Sequence, residues 1–214
     1  MEKAIKKHAV IFILPTLAAF IIGFIVPFVE GLYLSFCKFT TVGNATWVGL
    51  ANYRAAITDT SFQRAFGFTV LFAVVSILSI NILAFALAVL LTQKLRGTNV
   101  FRTVFFMPNL IGGIVLGYIW QILINCVMTI LEQPLLALNA TAGWGLIILM
   151  GWQQIGYMMI IYIAGLQNVP DSLIEAAEID GANRLQTLFK IKIPMVMSSV
   201  TICIFLTLTN SFKL

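Results

Sequence analysis

Residues 175–194 read EAAEIDGANRLQTLFKIKIP, a polar stretch that separates two long uncharged runs of the chain. The uncharged runs of the whole sequence cover residues 9–29, 65–93, 103–131, 133–170 and 195–212. A helix needs about 20 apolar residues to cross the core of a bilayer. The pattern therefore predicts five membrane-spanning helices, with the chain ending inside the fifth.

Composition supports this interpretation. The 214 residues are 60% hydrophobic and only 10% charged, whereas a soluble domain has about 25% charged residues. The runs lack the alternation of membrane strands, so helices are the way to satisfy their backbone in lipid. We predict an all-α, polytopic membrane protein. The predicted spans cover about 9–34, 66–92, 104–125 and 144–166, and a fifth begins at Pro194.

Lysine and arginine divide unevenly between the two sides of these spans. Three lie in the loop after the first span, at Lys38, Arg54 and Arg64. Nine lie on the other side, at Lys3, Lys6, Lys7, Lys94, Arg96, Arg102, Arg184, Lys190 and Lys192. Cytoplasmic loops carry the excess of such residues, so the N-terminus and residues 175–194 are predicted to be cytoplasmic. The bias also explains the net charge of +5, and no nucleic-acid partner is expected.

The polar stretch has the local signals of two short helices. Ser172 and Glu175 match a capping box, which predicts a first helix beginning at Ser172. Gly181 can take the left-handed conformation that ends a helix, and Asn183 can cap a second one. Pro194 is a favoured first residue for the next span. Two short helices at an angle, held between two spans, would form a stiff lever.

Polar side chains cluster inside the last two spans. Gln153, Gln154 and Tyr157 share one helix face, as do Thr207, Asn210 and Ser211 in the fifth span. Uncharged amides and hydroxyls beside the flat rings of Trp152 and Tyr157 suit a neutral polyhydroxy ligand. Such groups are costly in hydrocarbon without partners, and hydrogen bonding between helices is the alternative explanation.

The third span contains Pro108, Gly112, Gly113 and Gly117. These residues permit close packing of helices or local unwinding. A tight packing face is the simpler interpretation.

Signs of catalysis are absent from the sequence. It has no metal-ligand spacing, no glycine-rich phosphate loop and no nucleophile–base pair, and His8 is its single histidine. The cysteines Cys37, Cys126 and Cys203 have no metal-like spacing and are expected to be small apolar filler. We expect neither an enzyme nor a cofactor site, and any ATPase activity would belong to another subunit.

The polar stretch resembles the EAA motif of ATP-binding-cassette importer permeases. The matching residues are Glu175, Ala176, Ala177, Asp180, Gly181, Ala182, Gln186, Ile191, Ile193 and Pro194. Three further segments, WVGLANYRAAI, FFMPNLIGGIVLGYIW and GYMMIIYIAGLQNVPDSLIEAAEIDGA, are similar to the carbohydrate branch of that family. Together they cover most of the chain.

The resemblance implies a type I importer fold of six core helices in a bacterial or archaeal plasma membrane. Residues 1–214 would form one permease domain that is truncated in its fifth span, and residues 171–193 would form the coupling segment. The coupling residues would be Glu175, Ala176, Ala177, Asp180, Gly181 and Ala182. The implied partners are a second homologous permease, two cytoplasmic ATPase subunits, an extracellular or periplasmic sugar-binding protein and membrane lipid.

The resemblance also implies sugar contacts. In maltose-type members, the tyrosine before MMI, residues about one turn earlier and polar residues of the next helix contact sugar. The matching positions are Gln153, Gln154, Tyr157, Thr207, Asn210 and Ser211. The two glutamines are departures from the maltose transporter, which predicts a different sugar.

Two classes of alternative remain. The same machinery could import a polyol or glycerol phosphate, although a phosphorylated ligand calls for a basic residue in the pathway and these spans show none. A non-transporting membrane scaffold is the alternative from another class, and it would have no need of a lever that docks an ATPase.

Overall fold

The computed structural model describes residues 13–93, 97–130 and 138–213. The predicted start of the first span at residue 9, the basic residues Lys3, Lys6, Lys7, Lys94 and Arg96, and His8 lie outside these residues. The contacts of the chain divide it into two compact units, residues 1–66 and 67–214. Each unit is described separately.

The first unit begins with helix α1, Ile13–Ser35, whose middle is a π-helical turn at Ile21–Ile25. Pro27 lies two residues after the end of that turn and has no N–H to continue the regular ladder, which accounts for the wider turn before it. Phe20, Phe24 and Phe28 stack along one face, with ring centroids 5.2 and 6.2 Å apart. No residue of the apolar window of α1 is buried.

A small hydrogen-bonded loop follows α1. Strands β1, Cys37–Lys38, and β2, Thr46–Trp47, pair in antiparallel fashion, and a 3-10 turn covers Val42–Asn44 between them. Helix α2, Ala51–Thr58, is tied back to the end of α1, because the Asn52 amide donates to the carbonyls of Ser35 and Cys37 at 3.0 and 2.9 Å.

Helix α3, Thr60–Leu91, begins in the first unit and supplies the first span of the second. Its first turn is capped by Asp59, whose carboxylate accepts from the Ser61 N–H at 2.7 Å. The buried stripe of α3 includes small residues, and Ser76, Ala84 and Ala88 are fully buried.

The remaining helices complete the second unit. They are α4, Thr98–Phe106; α5, Gly113–Ile130; α6, Leu138–Gln167; α7, Asp171–Ile179; α8, Arg184–Met195; and α9, Met197–Ser211. The core is built mainly from α3, α6 and α9, with Ile80, Met158, Met159, Tyr162 and Cys203 almost inaccessible.

Two glycines set close helix contacts in this unit. A Cβ at Gly156 of α6 would overlap the carbonyl of Phe105, so α6 lies directly on the end of α4. A Cβ at Gly165 would overlap the Ser199 hydroxyl, so α6 and α9 also touch closely there. Antiparallel contacts continue along these two helices, from the Cys203 thiol near the Met158 carbonyl, 3.8 Å, to Ser211 near Met150.

The predicted third span is wrong in its extent. Instead of one helix over 104–125, α4 ends at Phe106, a 3-10 turn covers Met107–Leu110, and α5 begins at Gly113. Pro108 lacks the N–H that a continuous helix needs, and Gly112 and Gly113 follow it. A Cβ at Gly112, Gly113 or Gly117 would meet no described atom within 4 Å, so the predicted packing face is not formed with the described residues, and the break falls at Gly112 and Gly113.

The fifth span also begins differently from the prediction. Pro194 lies inside α8 rather than at the start of a helix, and the chain turns at Val196, where α8 and α9 meet at 70°. A π-helical turn at Leu188–Lys192 precedes Pro194 and accommodates its missing N–H. The Val196 N–H still bonds the carbonyls of Lys192 and Ile193, at 3.1 and 3.2 Å.

Among the described residues, four helices are long and apolar enough to cross a membrane, and a fifth if the bent pair counts as one span. They are Ile13–Ser35, Thr60–Leu91, Gly113–Ile130, Trp144–Gln167, and Arg184–Met195 with Met197–Ser211. The predicted all-α, multi-pass membrane protein is confirmed.

Candidate transport site and coupling segment

The polar segment, defined here as residues 171–193, contains α7 and most of α8. Helix α7 begins at Asp171, directly after Pro170, whose backbone is extended. No side chain caps this end, so the predicted capping box between Ser172 and Glu175 is wrong: Ser172 is already inside the helix. Asp171 in the first turn still places a negative charge at the positive end of the helix dipole.

A Schellman motif ends α7. Gly181 has φ +78°, its N–H bonds the Glu178 carbonyl at 3.1 Å, and the Ala182 N–H bonds the Ala177 carbonyl at 2.9 Å. The predicted helix end at Asp180 and Gly181 is therefore correct. The positive φ favours glycine at this position.

Helix α8 carries the capping box of the segment. The Gln186 N–H donates to Asn183 Oδ1 at 2.9 Å, and the Asn183 N–H donates to Gln186 Oε1 at 2.8 Å. The prediction that Asn183 caps the second helix is confirmed. Together with the Schellman motif, this box fixes the turn between α7 and α8 from both sides.

The outer surface of the polar segment is unusually apolar for a stretch rich in charge. Ile179, Leu185 and Phe189 are 86%, 66% and 64% exposed, and Glu175, Ala176 and Asp180 are exposed beside them. Ala177 instead faces the interior and is buried. Exposed apolar side chains rimmed by charge are typical of a surface that contacts another protein or a membrane.

The six predicted pathway residues fall into two groups. Gln153, Gln154, Tyr157 and Asn210 are half-buried, and the Asn210 amide donates to Gln154 Oε1 at 3.1 Å. This bond joins α6 to α9 and brings the two predicted polar clusters together. Among the described residues, the side chains of Gln153 and Tyr157 have no hydrogen-bond partner and are free to bind other groups.

Thr207 and Ser211 lie in the interface of the helices. They are 0% and 2% exposed, and their hydroxyls donate to carbonyls of their own helix, Cys203 and Thr207, at 2.8 Å each. Thr201 and Thr209 make the same kind of bond, at 3.0 and 2.8 Å. In this conformation, four hydroxyls of α9 are satisfied within the helix.

Two tryptophan rings pack against each other, and one of them belongs to Trp152, which directly precedes the glutamines in the sequence. The rings of Trp120 on α5 and Trp152 on α6 are 5.8 Å apart at 60°, and Trp152 is 45% exposed. The pair adds flat apolar surface to the part of α6 that carries the predicted pathway residues.

Sequence reasoning missed two polar residues of the interior. Asn81 on α3 and Tyr162 on α6 are joined by a hydrogen bond of 2.7 Å from the tyrosine hydroxyl to Asn81 Oδ1. Asn81 carried a usable signal, because an amide in the middle of the apolar run 65–93 is a functional candidate by default. Tyr162 gave none, since it lies among apolar residues in a sequence rich in aromatics.

These helices define a multi-pass membrane protein of the α-helical class. Residues 96–214 match the family described as binding-protein-dependent transport system inner membrane component. The chain belongs to that family, which is one of transport permeases rather than enzymes.

Named relatives agree with this assignment. The chain is 40% identical over 212 residues to the probable starch degradation products transport system permease protein AmyD of Thermoanaerobacterium thermosulfurigenes, covering 95% of this chain and 73% of AmyD. It is 28% identical to the multiple sugar-binding transport system permease protein MsmF of Streptococcus mutans, covering 92% and 71%. It is 32% identical to the sn-glycerol-3-phosphate transport system permease protein UgpA of Agrobacterium fabrum, covering 85% and 66%.

A solved structure has the same fold. The chain superposes with a TM-score of 0.76 on a bacterial ABC transporter involved in the import of the acidic polysaccharide alginate, at 20% identity, covering 99% of this chain and 76% of the other. The predicted importer-permease fold is confirmed.

Proposed function

We propose that this chain is a sugar permease subunit of an ATP-driven, binding-protein-dependent importer, and that the polar segment couples it to a separate ATPase. The observation that carries the proposal is the construction of that segment. Two short helices are fixed at a set angle by a Schellman motif and a capping box, and their outer surface is apolar and exposed.

The coupling role follows from how the segment is attached. Helix α7 follows α6 after a short turn, and α8 leads into α9 through the bend at Val196. A force on the exposed surface would therefore reach both helices that carry the candidate pathway residues. The coupling contacts would come from Glu175, Ala176, Asp180, Gly181 and their neighbours, with buried Ala177 packing the segment onto the permease.

The cargo is best described as a neutral oligosaccharide. AmyD, at 40% identity, is named for starch degradation products, and Gln153, Gln154, Tyr157 and Asn210 offer uncharged donors and acceptors. UgpA makes glycerol phosphate the second candidate. Helices Gly113–Ile130, Trp144–Gln167 and Met197–Ser211 contain no lysine or arginine, and this disfavours a phosphorylated ligand because a buried phosphate requires a cationic partner.

The partners would be a second homologous permease, two ATPase subunits and a binding protein on the outer side. The distribution of lysine and arginine supports a cytoplasmic polar segment and a cytoplasmic N-terminus. The exposed surface of α1 would meet lipid or the second permease.

A pair of variants tests the coupling role in the complete transporter with its cognate subunits. Gly181→Leu forces a side chain onto a residue with φ +78°, and Glu175→Lys reverses an exposed charge. We expect both to retain folded permease but to lose co-purifying ATPase or ATP-driven uptake of maltotriose. Gly49→Leu, at φ +61° in the first unit, and Glu30→Lys are the matched controls.

Normal uptake and normal ATPase recovery in both polar-segment variants would refute the coupling role. The cargo is tested separately, by competition between labelled maltotriose and unlabelled glycerol 3-phosphate or sorbitol. Stronger competition by glycerol 3-phosphate would favour the second candidate.

A further inference from the structure

Asn81 is the centre of a hydrogen-bonded cluster that joins three helices inside the second unit. Its Nδ2 donates to the Ile77 carbonyl of its own helix at 2.8 Å and to Thr207 Oγ1 on α9 at 3.3 Å. Its Oδ1 accepts from the Tyr162 hydroxyl of α6 at 2.7 Å. The nitrogen of an amide donates and its oxygen accepts. Both polar atoms of Asn81 therefore have hydrogen-bond partners.

Tyr162 is attached to α3 in two ways. Its hydroxyl reaches Asn81, and its ring contacts Phe85 edge-on, with centroids 5.3 Å apart at 81°. Asn81 and Phe85 are four residues apart and so lie on one face of α3. Since Tyr162 is only 1% exposed, this double attachment fixes α6 against α3 at that level.

Thr207 connects the cluster to the candidate pathway. It accepts from Asn81 and is three residues before Asn210, so the two side chains lie on neighbouring parts of the same face of α9. Asn210 in turn donates to Gln154 at 3.1 Å. Helix α9 is thus held at two levels, by α3 through Asn81 and by α6 through Gln154.

We propose that Asn81 and Tyr162 are positioning residues for the transport pathway, which set the rotation of α9 so that Asn210 faces Gln154. They do not touch the cargo, and they act through Thr207. This inference rests on the proposed function for the claim that Gln154 and Asn210 meet the sugar. The positioning itself can be measured without any sugar.

The first test measures the geometry of the pair. Cysteines at 154 and 210 are introduced into the chain within the complete transporter, and their reaction with a short bifunctional thiol cross-linker is timed. The chain without the added cysteines gives the background. We expect Asn81→Leu and Tyr162→Phe to slow cross-linking about threefold or more, because each removes a hydrogen bond that joins helices inside a bilayer.

Thr201→Val is the matched control, since its hydroxyl bonds only the Met197 carbonyl of the same helix. It should leave the cross-linking rate unchanged. If Asn81→Leu and Tyr162→Phe cross-link as fast as Thr201→Val and the unsubstituted pair, the positioning role is overturned. Tyr162→Phe keeps the ring contact with Phe85, so it is the variant that separates the hydroxyl from packing.

The second test measures binding of radiolabelled maltotriose to the transporter in nanodiscs without binding protein. Asn81→Leu and Tyr162→Phe should each raise the Kd about threefold or more, and the double variant should raise it by less than the product because both act through one cluster. The thermal-unfolding midpoint is recorded alongside. A lower midpoint with unchanged Kd and unchanged cross-linking would mean a merely structural role.

Asn210→Ala separates the two hypotheses. If Asn210→Ala raises the Kd but the Asn81 and Tyr162 variants do not, the pathway assignment stands and the positioning role fails. If Asn210→Ala leaves the Kd unchanged, the sugar site is elsewhere, and the cross-linking rates still decide whether Asn81 and Tyr162 orient α9.

Discussion

At the scale of single residues, glycine determines how closely the helices of the second unit approach. A Cβ at Gly156 would overlap the carbonyl of Phe105, a backbone group that cannot rotate away. At Gly151, on the same helix, the nearest atom would be the flexible end of Ile155 at 3.9 Å. The two positions therefore differ in packing while sharing a helical backbone.

We expect Gly156→Ala to destabilise the permease by about 1–3 kcal/mol, the usual effect of overpacking. Gly151→Ala should be neutral or slightly stabilising, because alanine is the better helix former. Thermal unfolding of the two purified variants checks this. An unchanged midpoint for Gly156→Ala would show that α4 can move away from α6 at little cost.

Arg102 provides a second residue-scale prediction. Its Nη2 donates to the Leu91 carbonyl at 2.9 Å, where the last carbonyls of α3 have no partner within their helix. Arg102→Met keeps much of the apolar length but removes this bond and the charge near the negative helix end. A loss of about 1–2 kcal/mol in the free energy of unfolding is expected.

The exposed Arg64→Met is the control for the loss of one positive charge. Chemical denaturation of both proteins in the same detergent measures the difference. Equal losses for the two substitutions would mean that the bond to Leu91 contributes nothing specific.

At the scale of elements, the bend between α8 and α9 sets how the polar segment is joined to the pathway. Pro194 removes an N–H from α8, and a π-helical turn precedes it. Pro194→Ala would restore the donor and allow regular helix. We expect the 70° angle to relax and ATP-driven maltotriose uptake to fall while the protein stays folded.

Spin labels on the exposed residues 185 and 204 report this angle as a distance, measured by pulsed electron resonance in the complete transporter. Pro170→Ala is the control, because Pro170 precedes α7 and lies outside the bend. If Pro194→Ala gives the same distance distribution as the unsubstituted transporter, Pro194 does not cause the bend.

Sequence patterns predicted the ends of helices correctly where the backbone conformation restricts which residue types can occupy the position. Gly181 and Asn183 are examples, since a positive φ and an N-cap are each met by few residue types. Ser172 failed because the S-x-x-E pattern cannot tell an N-cap from a residue one position inside a helix. Pro194 and Pro108 marked real disturbances, but the position of each break depended on neighbouring turns.

At the scale of the whole molecule, the number and class of the spans followed from uncharged run length alone. The pairing of Gln154 with Asn210 and the cluster around Asn81 could not be predicted in the same way. They depend on which helices meet and at what rotation, which no periodicity within one helix contains. The sequence located the polar clusters of α6 and α9 but not the third helix, α3, that holds them.

The orientation of the molecule is the prediction that belongs to this scale. The excess of lysine and arginine predicts that the polar segment is cytoplasmic and that the loop containing α2 is outside. A cysteine at exposed Leu50 should react with a membrane-impermeant maleimide in intact cells. A cysteine at exposed Leu185 should react only after the cells are permeabilised, and the opposite pattern would invert the topology.

The self-bonded hydroxyls of α9 have a consequence for how the chain enters the membrane during synthesis. Four serine and threonine side chains of this helix donate to carbonyls one turn earlier, so these groups reach lipid already satisfied and add little to the cost of leaving the translocon. The amide of Asn210 has no such bond and finds its acceptor on Gln154. Release of α9 into the bilayer would then be completed by docking on α6, a helix that has been synthesised before it.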